Sequence, residues 1–144
     1  MQLTEKEARR RLTEAAVARL ATVDEAGRPH LVPVTFAAVG DTVAIAIDHK
    51  PKRHRDLKRL RNITANPLVC LLADRYDDDW SQLWWARADG SAHVLDIATC
   101  PDEAEWLLSK YSQYRDQPPE GPVIRIEVTR WTGWAYAHQT PPEE

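Results

Sequence analysis

The sequence predicts a mostly β protein: six or seven antiparallel strands with helices at the periphery, closed into a small barrel. Three observations carry this expectation. Short runs rich in β-branched residues recur along the chain, joined by Gly- and Pro-containing turns too short for a parallel crossover. Helical spacing occurs in only three places (near the start, in the middle and late), which excludes the βαβ alternation of a doubly wound fold. Six or more such strands within 144 residues favour closure. The chain reads as one domain, 1–144, long enough to bury a core without disulfides or metal.

The elements follow in order. Thr4 and Glu7 make a Thr-x-x-Glu capping box for a helix running to about Ala16. Arg19–Val23 and His30–Ala38 are strands, and DEAGRP between them holds the Gly and Pro of a hairpin turn. Val39-Gly40-Asp41 turns the chain into Thr42–Asp48, where Val43, Ile45 and Ile47 alternate with smaller residues. Leu57, Leu60 and Ile63 then share one face of a basic helix that Pro67 ends. Leu68–Ala73 is the next strand, and Leu83–Asp89 with Ser91–Leu95 is read as a hairpin around Asp89-Gly90. Thr99, Pro101 and Asp102 open a helix reaching roughly Tyr114, with Trp106, Leu107 and Tyr111 on its buried side. Val123–Trp131 alternates as a half-buried strand.

Charge supplies the functional signal. Lys50, Lys52, Arg53, Arg55, Lys58, Arg59 and Arg61 cluster in one segment of a chain whose formal net charge is −3. Such local concentration in an acidic protein suggests a site for an anion, since charge-assisted bonds from Lys and Arg to phosphate or carboxylate are the strong class. GxGxxG, Walker A and GxSxG sequences are absent. Cys70 and Cys100 have no CxxC partner, and His30, His49, His54, His93 and His138 lack ligand spacing, so no metal is expected. MQLTEKEARRRLTEAA has no apolar h-region, and no run approaches the roughly 20 apolar residues of a membrane span, so a cytoplasmic location is expected.

Other conspicuous residues have plain explanations. Asp77-Asp78-Asp79 reads as a solvated loop, and Glu103 and Glu105 suit a helix N-terminus. Trp106 and Trp131 are candidates for core filling. Trp84 and Trp85 are different. Adjacent strand residues point to opposite faces, so one of the two must meet a partner subunit, a ligand or solvent.

The run RLATVDEAGRPHLVPVTF, followed by DHKPKR and LRNITANPLVCLL, resembles the split β-barrel family of pyridoxamine-phosphate-oxidase-like flavoproteins. With the later block RYDDDWSQLWWARADGSAHVL, it is most similar to their deazaflavin branch, the coenzyme F420-dependent oxidoreductases. The resemblance covers about Arg19 to Leu95 and implies a six- to seven-stranded antiparallel split β-barrel that works as a homodimer with cofactor sites at the subunit interface. It implies that Gly27, Pro29, His30, Val32, Pro33, Val34 and Thr35 border the flavin ring. Lys50 and Lys52 match the pair that binds the cofactor phosphate, and Arg61-Asn62 matches an Arg-Asn on the following helix. Arg53 and Arg59 join this set, while the sequence leaves open which of Arg53, Arg55, Lys58 and Arg59 face the cofactor. Trp84 and Trp85 fall where a partner would cover the ring, and Trp80 and Tyr76 join them as candidate lining of a substrate pocket.

The implied activity is hydride transfer between reduced F420 and a small electron-poor organic substrate, with no side chain named as catalytic. A long run of cations suits the polyanionic tail of F420 better than the single phosphate of FMN, which stays as the alternative cofactor. A non-catalytic F420 carrier is a second alternative. Nucleic-acid binding by Lys50–Arg61 is disfavoured by the net charge and by the lack of an aromatic residue in that segment.

Overall fold

The computed structural model describes residues 1–47 and 57–136. Helix α1 spans Glu5–Glu14; strands β1 to β4 are Ala18–Val23, Pro29–Val34, Ala37–Val39 and Thr42–Ala46; helix α2 is Lys58–Ala65. Then come β5 (Leu68–Arg75), β6 (Trp84–Asp96), α3 (Pro101–Lys110), α4 (Ser112–Asp116) and β7 (Pro122–Ala135). None of these helices is long and apolar enough to cross a membrane.

All seven strands lie in one antiparallel sheet, in the order β2-β1-β5-β6-β7-β4-β3. The expected strand His30–Ala38 is thus two strands, β2 and β3, at opposite edges of the sheet and joined by Thr35 and Phe36 alone. A flat sheet of this width would hold its edges about 29 Å apart. The link spans at most about 11 Å. The sheet therefore curls, and its inner face wraps a single core that includes Leu12, Leu20, Phe36, Ile45, Ile63, Leu71, Ile124 and Ile126.

The expected hairpin at Asp89-Gly90 is absent. An Asp-Gly pair is a strong turn signal, yet β6 runs straight through it for 13 residues. Asp89 pairs with Arg130 while Gly90 pairs with Val128, so Thr129 is the extra residue of a bulge in β7. Gly90 is required by close approach, because a Cβ there would overlap the backbone oxygen of Glu127. The dipeptide marks a tight strand crossing.

Strand β4 shows how burial on two faces shapes sequence. Val43 and Ile45 enter the main core, whereas Ala44 and Ala46 meet Leu107 of α3 in a second, smaller cluster. Helix α3 lies close over that second face, and the β3 and β4 residues beneath it are alanines. The helix expected from Thr99 to Tyr114 breaks at Tyr111, whose backbone is extended, leaving α3 and α4. Helix α2 turns Leu60 and Ile63 to the core, with its N-cap residue Leu57 packing beside them, as their spacing predicted. Its buried Asn62 Nδ2 donates to Thr22 Oγ1 of β1 at 3.0 Å, tying helix to sheet.

Helix α1 ends at Glu14, short of Ala16, because Ala15 is already extended. Half of the capping box forms: Glu7 N–H donates to Thr4 Oγ1 at 3.1 Å. The Glu7 carboxylate instead receives Arg10 Nη2 at 2.5 Å and Arg11 Nε at 2.8 Å. Arg11 is 7% exposed and its guanidinium lies 5.5 Å from the Trp84 ring centre, so this carboxylate neutralises a buried cation. Trp131 fills core as expected, and its indole N–H donates to Asp41 Oδ1 at 2.8 Å.

Two outcomes follow. Gly90→Ala should cost about 1–3 kcal/mol in a urea titration, the usual scale for forced overpacking; unchanged stability would contradict the close crossing. The hydrogen bonds from Arg10, and after them those from Arg11, hold the Glu7 carboxyl at about 2 against an ordinary 4.5. That stabilisation is complete above about pH 4.5 and is lost as pH falls towards 2. Glu7→Gln should therefore lower stability near neutral pH by on the order of 2 kcal/mol and flatten the acid limb of the stability profile.

Candidate functional site

Curling the sheet leaves a seam where β2, at one edge, approaches β4, which is not its hydrogen-bonded neighbour. A cavity of about 190 Å³ opens there, lined by Val17, Pro33, Val34, Thr35, Ile45, Ala46 and Arg59. Its walls come from the segment entering β1, the end of β2, the end of β4 and the first turn of α2. The lining side chains are aliphatic apart from one cation, Arg59, and one hydroxyl, Thr35, with polar atoms well represented on the exposed wall. Such a pocket suits an apolar ring system carrying an anionic group and hydrogen-bond acceptors.

The corner holding Thr35 is fastened from the far side by α3 and α4. Tyr111 Oη accepts the Phe36 N–H at 3.0 Å and lies 2.9 Å from Phe36 O and 2.8 Å from Ala16 O, its one proton serving either carbonyl. Thr35 Oγ1 is 2.8 Å from Tyr114 Oη. The two tyrosine rings meet edge to face, 5.6 Å between centres. Lys110 donates from Nζ to Ala15 O at 2.7 Å and Thr13 O at 3.3 Å, and the ammonium sits 3.7 Å from the Phe36 ring centre. Half-burial pulls this ammonium down to about 8.

Of the residues expected at a cofactor site, the structure thus brings Pro33, Val34, Thr35 and Arg59 to one cavity. Lys50, Lys52, Arg53 and Arg55 lie outside the described residues. Lys58 faces the β1–β2 turn, 3.6 Å from Asp24, whose carboxylate also accepts the Ala26 and Arg28 N–H groups at 2.9 Å. Gly27 sits in that turn at φ 81°, a conformation that favours glycine, with Pro29 just beyond it. Arg61 is exposed, and Asn62 is buried with its amide nitrogen on Thr22, away from the cavity lining.

His30 and Val32 share the inner face of β2 with Val34, opposite Thr22 and Leu20 of β1. Val32 packs on the core, while His30 Nδ1 is buried with no hydrogen-bond partner among the described residues. Trp84 and Trp85 take opposite faces as alternation requires. Trp84 packs on the core, whereas Trp85 lies beside Trp134 on β7 with Arg87 5.6 Å above its ring. Neither lines the cavity. Trp80 and Tyr76 are 59% and 69% exposed, in and beside the Asp77–Asp79 loop, whose carboxylates bond its own backbone.

Tyr111 and Tyr114, which fasten the corner beside the cavity, were not among the residues the sequence singled out for a site. Their spacing in YSQY was visible, but it reads equally as a helix face, and only the fold carries them to Thr35 and Phe36. A larger groove of about 360 Å³ at α1 is lined by Glu5, Lys6, Arg9, Asp41, Val128, Thr129 and Trp131, a charge-balanced surface.

Solved structures share this fold. An FAD-binding protein from Mesorhizobium loti matches with TM-score 0.69 at 19% identity, covering 92% of this chain and 95% of that one. The FAD-binding protein from Mycobacterium smegmatis matches with TM-score 0.65 at 21% identity, covering 95% of this chain and 100% of that one. A heme-binding protein from Mycobacterium smegmatis matches with TM-score 0.71 at 16% identity, covering 93% of this chain and 55% of that one. At these identities the likeness is one of fold. No curated protein matches in sequence. The family model for pyridoxamine 5'-phosphate oxidase, however, matches residues 4–135, every strand and helix described above, and the chain belongs to that family.

Proposed function

We propose that this chain is an oxidoreductase that binds a flavin-type cofactor at the β2–β4 seam and transfers a hydride to or from a small electron-poor organic substrate. One observation carries the reading. Three of the residues that family resemblance places at the ring border, Pro33, Val34 and Thr35, line a single cavity with Arg59, one of the four cations whose orientation the sequence leaves open. Membership of the pyridoxamine 5'-phosphate oxidase family supports the reaction class.

The residues present fit such a group. Val17, Val34, Ile45 and Ala46 offer apolar contact to a ring; Arg59 offers charge to an anion. When bound, a reduced flavin or deazaflavin supplies the hydride. The chain's task is to hold ring and substrate in register and keep water out of the seam.

Coenzyme F420 is the preferred ligand, supported by the sequence blocks that match the deazaflavin branch and by the length of the cationic segment. FMN is compatible with the same cavity, and the names of two neighbours favour FAD as a further candidate. We also propose that the protein is a homodimer closed as a split barrel. Supporting this, the outer face of β2, β1, β5, β6 and β7 carries Leu31 and Leu68, 65% and 64% exposed, with Trp85 and Trp134 on the same side.

In a titration followed by ligand fluorescence, wild-type protein should bind F420 more tightly than FMN or FAD. Failure to bind any of the three would sink the cofactor reading. Arg59→Ala, and equally Lys52→Ala, should weaken binding by about 1.5–3 kcal/mol, the scale of a charge-assisted bond. Oxidation of reduced F420 by a panel of enones and quinones separates an enzyme from a carrier. Sedimentation should give about twice the 16.4 kDa chain mass, and Leu31→Arg should shift it towards monomer.

A further inference from the structure

We propose that Tyr114 is a positioning residue for this site: its phenol donates to Thr35 Oγ1 and so turns the Thr35 proton into the cavity, towards an acceptor on the ligand. The inference rests on the cofactor-binding reading above. The two oxygens are 2.8 Å apart, and either could donate. A phenol is a far stronger acid than an aliphatic alcohol and is the better donor of the pair. Thr35 has one proton and two lone pairs. Once a lone pair is engaged by Tyr114, the proton is left for a different partner, and Thr35 lines the cavity.

The donor is held in place before any ligand arrives. Tyr114 stands edge-on to Tyr111, and the Tyr111 hydroxyl grips the Phe36 N–H next to Thr35. Lys110, one residue earlier, anchors the end of α3 to carbonyls at the end of α1. Pre-organisation of this kind raises affinity by removing the ordering cost from the binding step. The cavity then presents one oriented neutral donor, Thr35, and one cation, Arg59, among otherwise aliphatic side chains. That combination selects ligands with a carbonyl or ring-nitrogen acceptor as well as an anionic group.

A double-mutant cycle tests the idea, because it isolates the interaction between two side chains. Wild type, Tyr114→Phe, Thr35→Val, Thr35→Ser and the Tyr114→Phe/Thr35→Val double variant are each titrated with F420, FMN and FAD, with thermal melts in parallel. Tyr114→Phe and Thr35→Val should each raise Kd about three- to tenfold, the range of one hydrogen bond, without lowering the melting temperature. The double variant should bind no worse than the weaker single variant, and Thr35→Ser, which keeps the hydroxyl, should bind nearly as wild type. Losses that multiply in the double variant, or an unchanged Kd for Tyr114→Phe, would overturn this inference alone. A wild type that binds none of the three ligands would overturn it together with the proposed function.

Discussion

Thr35 and Phe36 join the two outermost strands of a seven-stranded sheet, and this short link governs the rest of the molecule. With so little chain between the edges, the sheet has to bend until β2 and β3 lie near each other. Bending wraps the inner faces around one apolar core and at the same time leaves β2 and β4 as neighbours without a ladder between them. The core and the cavity are two consequences of one constraint. Phe36 shows this directly: it is fully buried, while the residue before it is exposed on the cavity rim.

A bend of this kind has to be held, and α3 with α4 does so at the same corner. Tyr111 satisfies the backbone of Phe36 with its side chain at a point where neither β2 nor β3 supplies a ladder partner. Lys110 caps the carbonyls that α1 leaves open at its end, and its partly buried ammonium lies against the Phe36 ring. Three side chains from residues 110–114 thus bind the start of β1, the β2–β3 link and the end of α1 into one block.

Electrostatics divides along the same lines. The paired charges of α1, Glu7 with Arg10 and Arg11, belong to the fold: they let an arginine stack on Trp84 at the edge of the core. Lys58 is likewise drawn off to Asp24 at the β1–β2 turn. Arg59, one residue further along α2, is carried instead to the cavity. Helical geometry separates neighbours by about 100°, so two adjacent cations meet different surroundings.

Periodicity and turn chemistry in the sequence were sufficient for most elements. Alternation marked β4 and β7, the spacing of Leu57, Leu60 and Ile63 marked the buried face of α2, and Gly27 and Gly40 marked the turns, both at positive φ. Pro33, Val34 and Thr35, singled out by family resemblance, line one cavity with Arg59, a cation whose orientation the sequence left open. These are local signals, written in nearest neighbours or in one turn of helix. Three features were not legible: that Asp89-Gly90 runs on through a bulge, that residues 30–38 cross from one edge of the sheet to the other, and that Tyr114 reaches Thr35. Each depends on a segment remote in sequence: Glu127 against Gly90, the edge positions of β2 and β3, and α4 against the β2–β3 link. By itself the sequence determined which stretches are strand or helix and which cations could meet an anion. Only the tertiary structure decided which of them meet, because curling a sheet brings together residues that no local pattern can pair.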